Sequence, residues 1–368
     1  MSIPRSDPLR VPQDAATPFH ASAYGANIVL RTMDSVDFHV STAIMASHSV
    51  FFEHLFSDAS DSSEDSLNNG RPVIPLQDGS QDIRALLLLF YAGVSPEARN
   101  FETTDEAFRV YAVAEKYCMH QCVFEAFEHA VLSSDAFCVH DPVAQYCLGV
   151  RAGSKALLRD AAYKCLDFPL SSLLRNLGLY SHLGFLKQSH VMTLWAYHEE
   201  CRTKAAGILH PRSIHYSSWL DPSRNIQHPW VRRNPYRLST SNTIAFMSCQ
   251  FLSEIHYMHD WVHDYLRALI PLLRARPSPK TIEDGADLLR RVAKGRLSCS
   301  ICKGENTSCT TKLVELLCQE VKRAVNEVCI PNSCRLDYEE AYLSVLRLFW
   351  MSDLVVVTRR RDFEYDAL

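Results

Sequence analysis

Between Asn27 and Phe56 the apolar positions change period. Ile28, Val29 and Leu30 make a short β-branched run. Val36-Asp37-Phe38-His39-Val40 is a second extended run, and together these predict two strands. Ala43, Ile44 and Met45 suggest a brief helix. Phe52, Leu55 and Phe56 then fall three and four apart, the apolar stripe of a further helix. Ser49 stands ahead of it as a good N-cap, because its hydroxyl can accept from an unpaired amide of the first turn.

The pattern continues as extended pieces and helices. Pro72 to Leu76 reads as a short extended piece, with Pro75 pointing to an edge or terminal position in a sheet. From Gln81, Ile83, Leu86, Leu87, Phe90 and Tyr91 share one helical face, stopped by Gly93 and Pro96. A second helix is expected from Thr104, with Asp105 and Glu106 opposing the positive end of its dipole. Its stripe is Ala107, Val110, Tyr111, Ala114 and Tyr117. A third runs from Met119 to about Leu132.

Residues 1–21, with prolines at 4, 8, 12 and 18, read as a flexible tail, and 58–70 as a flexible acidic, serine-rich loop. Residues 136–204 read as helices, with Gly153 joining Val143–Val150 to Lys155–Leu166. Residues 205–243 form an irregular Pro/Trp/His-rich segment. A helical region is expected over 244–357, opened by a long helix from Asn242 to Leu273 that Pro271 interrupts. Val314, Leu317, Val321, Ala324 and Val328 give the seam of one further packed helix. Residues 358–368 are a tail.

Phe90-Tyr91-Ala92-Gly93 resembles the tyrosine-x-glycine signature of BTB/POZ domains, and Ala114-Glu115-Lys116-Tyr117-Cys118-Met119 resembles their A-x-K-Y-x-M hinge. Both follow the Ser49 helix in the family's order. The resemblance covers about 22–135, and the chain as a whole is similar to BTB proteins abundant in mushroom-forming fungi. It implies an α+β N-terminal domain, a small mixed sheet capped by helices, followed by a mainly α-helical C-terminal region. Asn27 stands where many members carry Asp, and Ser41-Thr42 where many carry a His-Lys pair that helps tie the first helix to the sheet. The tail lacks the amphipathic segment of strand-swapping members, which favours a plain helix-to-helix dimer.

The totals add bounds. At 368 residues, two domains or one with a large extension are expected, and 47% hydrophobic with 22% charged residues describe an ordinary globular chain. A formal charge of −4 gives no global attraction to nucleic acid or to an anionic membrane. No secretory signal or membrane-length apolar run is visible, so the thirteen cysteines are expected as free thiols in a cytoplasmic or nuclear setting.

Two constellations test for chemistry. His259 and His263, four apart in His-Asp-Trp-Val-His, carry Asp260 where the metalloprotease motif has Glu, and no third ligand is indicated. A metal-dependent hydrolase on that helix is the alternative of another class. Cys299-Ser300-Ile301-Cys302 with Cys309 is a weak structural-zinc candidate, since a lone C-x-x-C lacks its partner pair; buried free cysteines at a helix start explain it as well. No nucleophile elbow or phosphate loop occurs. The expectation is therefore a non-enzymatic interaction module with no cofactor.

The resemblance implies protein partners, a homodimer, and an adaptor or scaffold role that includes a cullin-type ubiquitin ligase. Adaptors carry a hydrophobic-x-Glu element that neither Pro96-Glu97 nor Phe101-Glu102 matches cleanly. Positions aligned with family contacts are Met45, Phe51 and His54, with Phe51 as the apolar anchor.

Overall fold

The computed structural model describes residues 11–58, 67–68, 70–91, 100–134, 141–179, 186–209, 231–232, 243–248, 255–294 and 302–330. The chain divides into two compact units, Met1–Asp160 and Ala161–Leu368.

In the first unit, β1 (Gln13–Asp14), β2 (Ile28–Arg31), β3 (Val36–Val40), β4 (Leu67–Asn68) and β5 (Arg71–Pro75) form one mixed sheet in the order β1-β3-β2-β5-β4. The two extended runs make an antiparallel hairpin that pairs Ile28 with Val40 and Arg31 with Asp37. Its turn closes on Ser35, whose φ of 63° is left-handed, and Thr32 Oγ1 accepts from the Val36 amide. β5 lies parallel to β2, with Val29 opposite Val73. As Pro75 suggested, it sits at the end of its strand.

Residues 11–21, expected as part of a flexible tail, are instead bound to the sheet. β1 pairs in parallel with the outer side of β3, and Ala15 and Phe19 are buried. Three side chains hold this segment. Arg84 donates to the carbonyls of Ala16 and Thr17 at 3.0 and 2.8 Å, and its guanidinium lies 5.9 Å from the Phe19 ring centre. Arg71 donates to the Ala21 carbonyl and to Nδ1 of buried His39. Arginine can only donate, so Nδ1 must accept; Nε2 then carries the proton and donates to Asp14 3.0 Å away. Beside it, buried Asp37 takes a two-pronged bond from Arg31 at 2.7 and 2.8 Å and a third from Asn68.

Helices α1 (Thr42–His48), α2 (Val50–Asp58), α3 (Ser80–Phe90), α4 (Thr104–Lys116) and α5 (Gln121–Ser133) cover the sheet. Of the stripes the sequence marks, Phe52, Ile83, Leu86, Leu87, Ala107, Val110, Tyr111, Ala114 and Tyr117 are buried, while Leu55, Phe56, Phe90 and Tyr91 are half-buried. Thr103 caps α4 by accepting from the Glu106 amide. α6 (Pro142–Ala152) opens on the Asp141 cap, with proline at the position where the missing amide costs nothing. It ends on left-handed Gly153, and α7 (Lys155–Cys165) follows. A Cβ on Gly149 would meet the Leu158 backbone nitrogen at 3.0 Å, so glycine sets how closely α6 and α7 approach.

In the second unit, α8 (Leu170–Leu179) and α9 (Gln188–Ile208) continue the helical series. The long helix expected from Asn242 is corrected. β7 (Thr243–Ser248) and β8 (Ile255–His259) are antiparallel neighbours, with β6 (Val231–Arg232) on the other side of β8, and α10 (Asp260–Ala275) begins only after them. α11 (Pro279–Asp284), α12 (Ala286–Lys294) and α13 (Cys302–Asn326) complete the described elements. α9 packs on α10 and α13, and α11 on α13. The α13 stripe is buried at Leu313, Leu317, Val321 and Ala324, with Val328 buried just beyond the helix end; Leu313 faces in where Val314 is expected.

Candidate protein-interaction face

Ser49 separates α1 from α2 and determines where α2 starts. Its Oγ accepts from the Phe52 amide at 3.1 Å, the cap the sequence suggests, and donates to the Tyr117 carbonyl at 2.6 Å. One hydroxyl thus satisfies an orphan amide of α2 and ties the helix start to the joint between α4 and α5. The joint is fixed from its own side. Cys118 adopts a left-handed φ of 46°, its carbonyl accepts from the Val50 amide at 3.2 Å, and the His120 amide donates to the His48 carbonyl at 2.8 Å.

α1 is tied to the sheet by the residues that depart from the family pattern. Asn27 Nδ2 donates to Thr42 Oγ1 and the Thr42 amide donates to Asn27 Oδ1, both at 2.8 Å. The Ser41 amide donates to the Tyr91 hydroxyl at 3.0 Å. Burial pushes that phenol up to about 12.

On this platform the first turn of α2 presents Val50 and Phe51, 39% and 40% exposed, with exposed Glu53 and His54 beside them. Exposed Ala43 and Ser47 of α1 continue the helical surface, and exposed Cys118 belongs to the adjoining joint. Phe51 is half sheltered: its ring meets Phe52 edge-on at 5.1 Å and Tyr117 at 5.4 Å. Of the three positions aligned with family contacts, Phe51 and His54 lie on the surface and Met45 does not. Met45 is 1% exposed and belongs to the core, because α1 turns that residue inward. Val50 was missed, although its place one residue before Phe51 and outside the Phe52/Leu55/Phe56 stripe marks it as outward.

The other candidates fall at separate places along the chain. His259 is the last residue of β8, and His263 lies in the first turns of α10. Cys299 lies outside the described residues. α13 does open at Cys302 and includes Cys309, the helix-start placement weighed above. No group of three metal-binding side chains occurs among the described residues. Pro96-Glu97 also lies outside them, while Phe101 is 3% exposed and packed on Phe127, so it offers a partner no surface. No helix among the described residues is long and apolar enough to cross a membrane.

Compared with known families, residues 23–133 match the BTB/POZ domain. No curated protein and no solved structure matches the chain. The match takes in the sheet from β2 onward and helices α1 to α5, and identifies this part of the chain as a BTB/POZ domain, a protein–protein interaction module.

Proposed function

We propose that the BTB/POZ domain joins two copies of this chain through the outer face of α1 and α2, and that the resulting dimer acts as a scaffold for further proteins. The observation that carries this is the pair Val50 and Phe51, exposed on a helix whose start is locked to the sheet and to the α4–α5 joint. Apolar side chains on a rigid base give up little conformational freedom on binding. A twofold contact uses one patch against itself. Glu53 and His54, side by side on α2, then offer opposite partners when two such helices run antiparallel.

The scaffold works in the cytoplasm or nucleus, where thiols stay reduced; Cys147 and Cys201 are buried thiols. It is not an enzyme in this reading. Light scattering on the purified full chain tests it. Wild type is expected at twice the chain mass, and Phe51→Asp, which puts a charge in the patch, raises the dimer Kd by at least about thirtyfold. A dimer indifferent to Val50→Asp and Phe51→Asp would place the contact elsewhere.

A further inference from the structure

We propose that Tyr117 and Asp78 are positioning residues for the Phe51 anchor, acting together to hold its ring in the orientation a second copy of the chain meets. The inference rests on the self-association reading above and adds how that contact is prepared before the partner arrives.

The Phe51 ring leans on Tyr117, and every end of Tyr117 is fixed. Its carbonyl accepts from Ser49 Oγ at 2.6 Å. Its ring stacks on Phe52 with centroids 5.4 Å apart and 27° between planes. Its hydroxyl donates to Asp78 Oδ2 at 2.5 Å, and the same oxygen accepts from Lys116 Nζ at 2.7 Å. The Lys116 ammonium lies 5.3 Å from the Tyr117 ring centre. Asp78, in the loop before α3, is therefore the far anchor of a line running from its carboxylate through the Tyr117 ring to Phe51.

A hydrogen bond to an ionised acceptor is among the stronger ones, and this one stops the Tyr117 ring from swinging. With that ring still, Phe51 rests against a fixed pair, Tyr117 and the Phe52 ring stacked on it. Release the hydroxyl and Tyr117 gains freedom that association must take away again, which weakens binding without removing any atom of the contact surface.

The test is a double-mutant cycle on the full chain, reading the dimer Kd by sedimentation equilibrium well below the unfolding temperature. Tyr117→Phe is expected to raise Kd about threefold or more in the wild-type background and to leave Kd unchanged in Phe51→Ala. Asp78→Ala is expected to reproduce Tyr117→Phe and to add nothing to it. If Tyr117→Phe lowers the melting temperature but leaves Kd unchanged, or weakens the Phe51→Ala chain equally, the bond is structural only and the inference fails. If Phe51→Ala itself leaves Kd unchanged, or the wild type is monomeric at every concentration reached, the self-association reading fails and takes this inference with it.

Discussion

Replacing Ser49 by alanine tests the joint on which the interaction face is built. Ser49 is fully buried and its hydroxyl makes two bonds, one to the Phe52 amide and one to the Tyr117 carbonyl. Loss of an N-cap oxygen costs about 1 kcal/mol. Leaving the carbonyl of buried Tyr117 without its partner costs about 1–3 kcal/mol more. The expected loss for Ser49→Ala is therefore about 2–4 kcal/mol, a large part of a domain's net stability. Ser41 is the internal control: it precedes α1 as Ser49 precedes α2, but its side chain makes no capping bond. Ser41→Ala should change stability by less than about 0.5 kcal/mol. Urea unfolding of the two variants, followed by amide exchange of the first unit's strands, gives both numbers. A Ser49→Ala loss no greater than that of Ser41→Ala would refute the clasp.

Further outcomes follow from packing and charge. Gly149→Ala forces its Cβ to within 3.0 Å of the Leu158 backbone and should cost about 1–3 kcal/mol in the same unfolding assay. Iodoacetamide at mildly alkaline pH should label exposed Cys118 and Cys122 well before Cys147 and Cys201, whose thiols burial pushes up to about 12; peptide mass spectrometry reads the order. His198 is held below its ordinary value, first by burial and then by Arg202, with the bond to the Phe168 carbonyl opposing. The unfolded chain therefore takes the proton first as pH falls. The second unit should be fully stable above the ordinary histidine value and lose stability below it, and His198→Gln should flatten that slope in urea titrations.

The central hairpin and the α2–α5 series are legible because each local signal agrees with the next. Strand period, the Ser49 cap and the helical stripes all point to one arrangement. The N-terminal strand escapes because its anchoring is remote. Gln13-Asp14 is polar and short, and it is held by His39, Arg71 and Arg84 from later elements. Asn27 and Thr42 look like losses against the family pattern, yet as a pair they bond twice and replace the usual tie. The sequence reads Thr243–Ser248 and Ile255–His259 as part of one long helix, whereas the β-branched and aromatic Thr-Ile-Ala-Phe and Ile-His-Tyr runs carry the strand signal. Met45 is placed among the contact positions by resemblance alone, and resemblance does not say which way α1 aims a side chain.

The most direct test of the account is hydrogen–deuterium exchange of the full chain across a dilution series. Residues 42–58 and 117–120 should lose protection as the dimer dissociates, while β2 and β3 keep theirs. Protection that is independent of concentration there, or that changes with concentration only in the second unit, would contradict a BTB/POZ domain that pairs through α1 and α2.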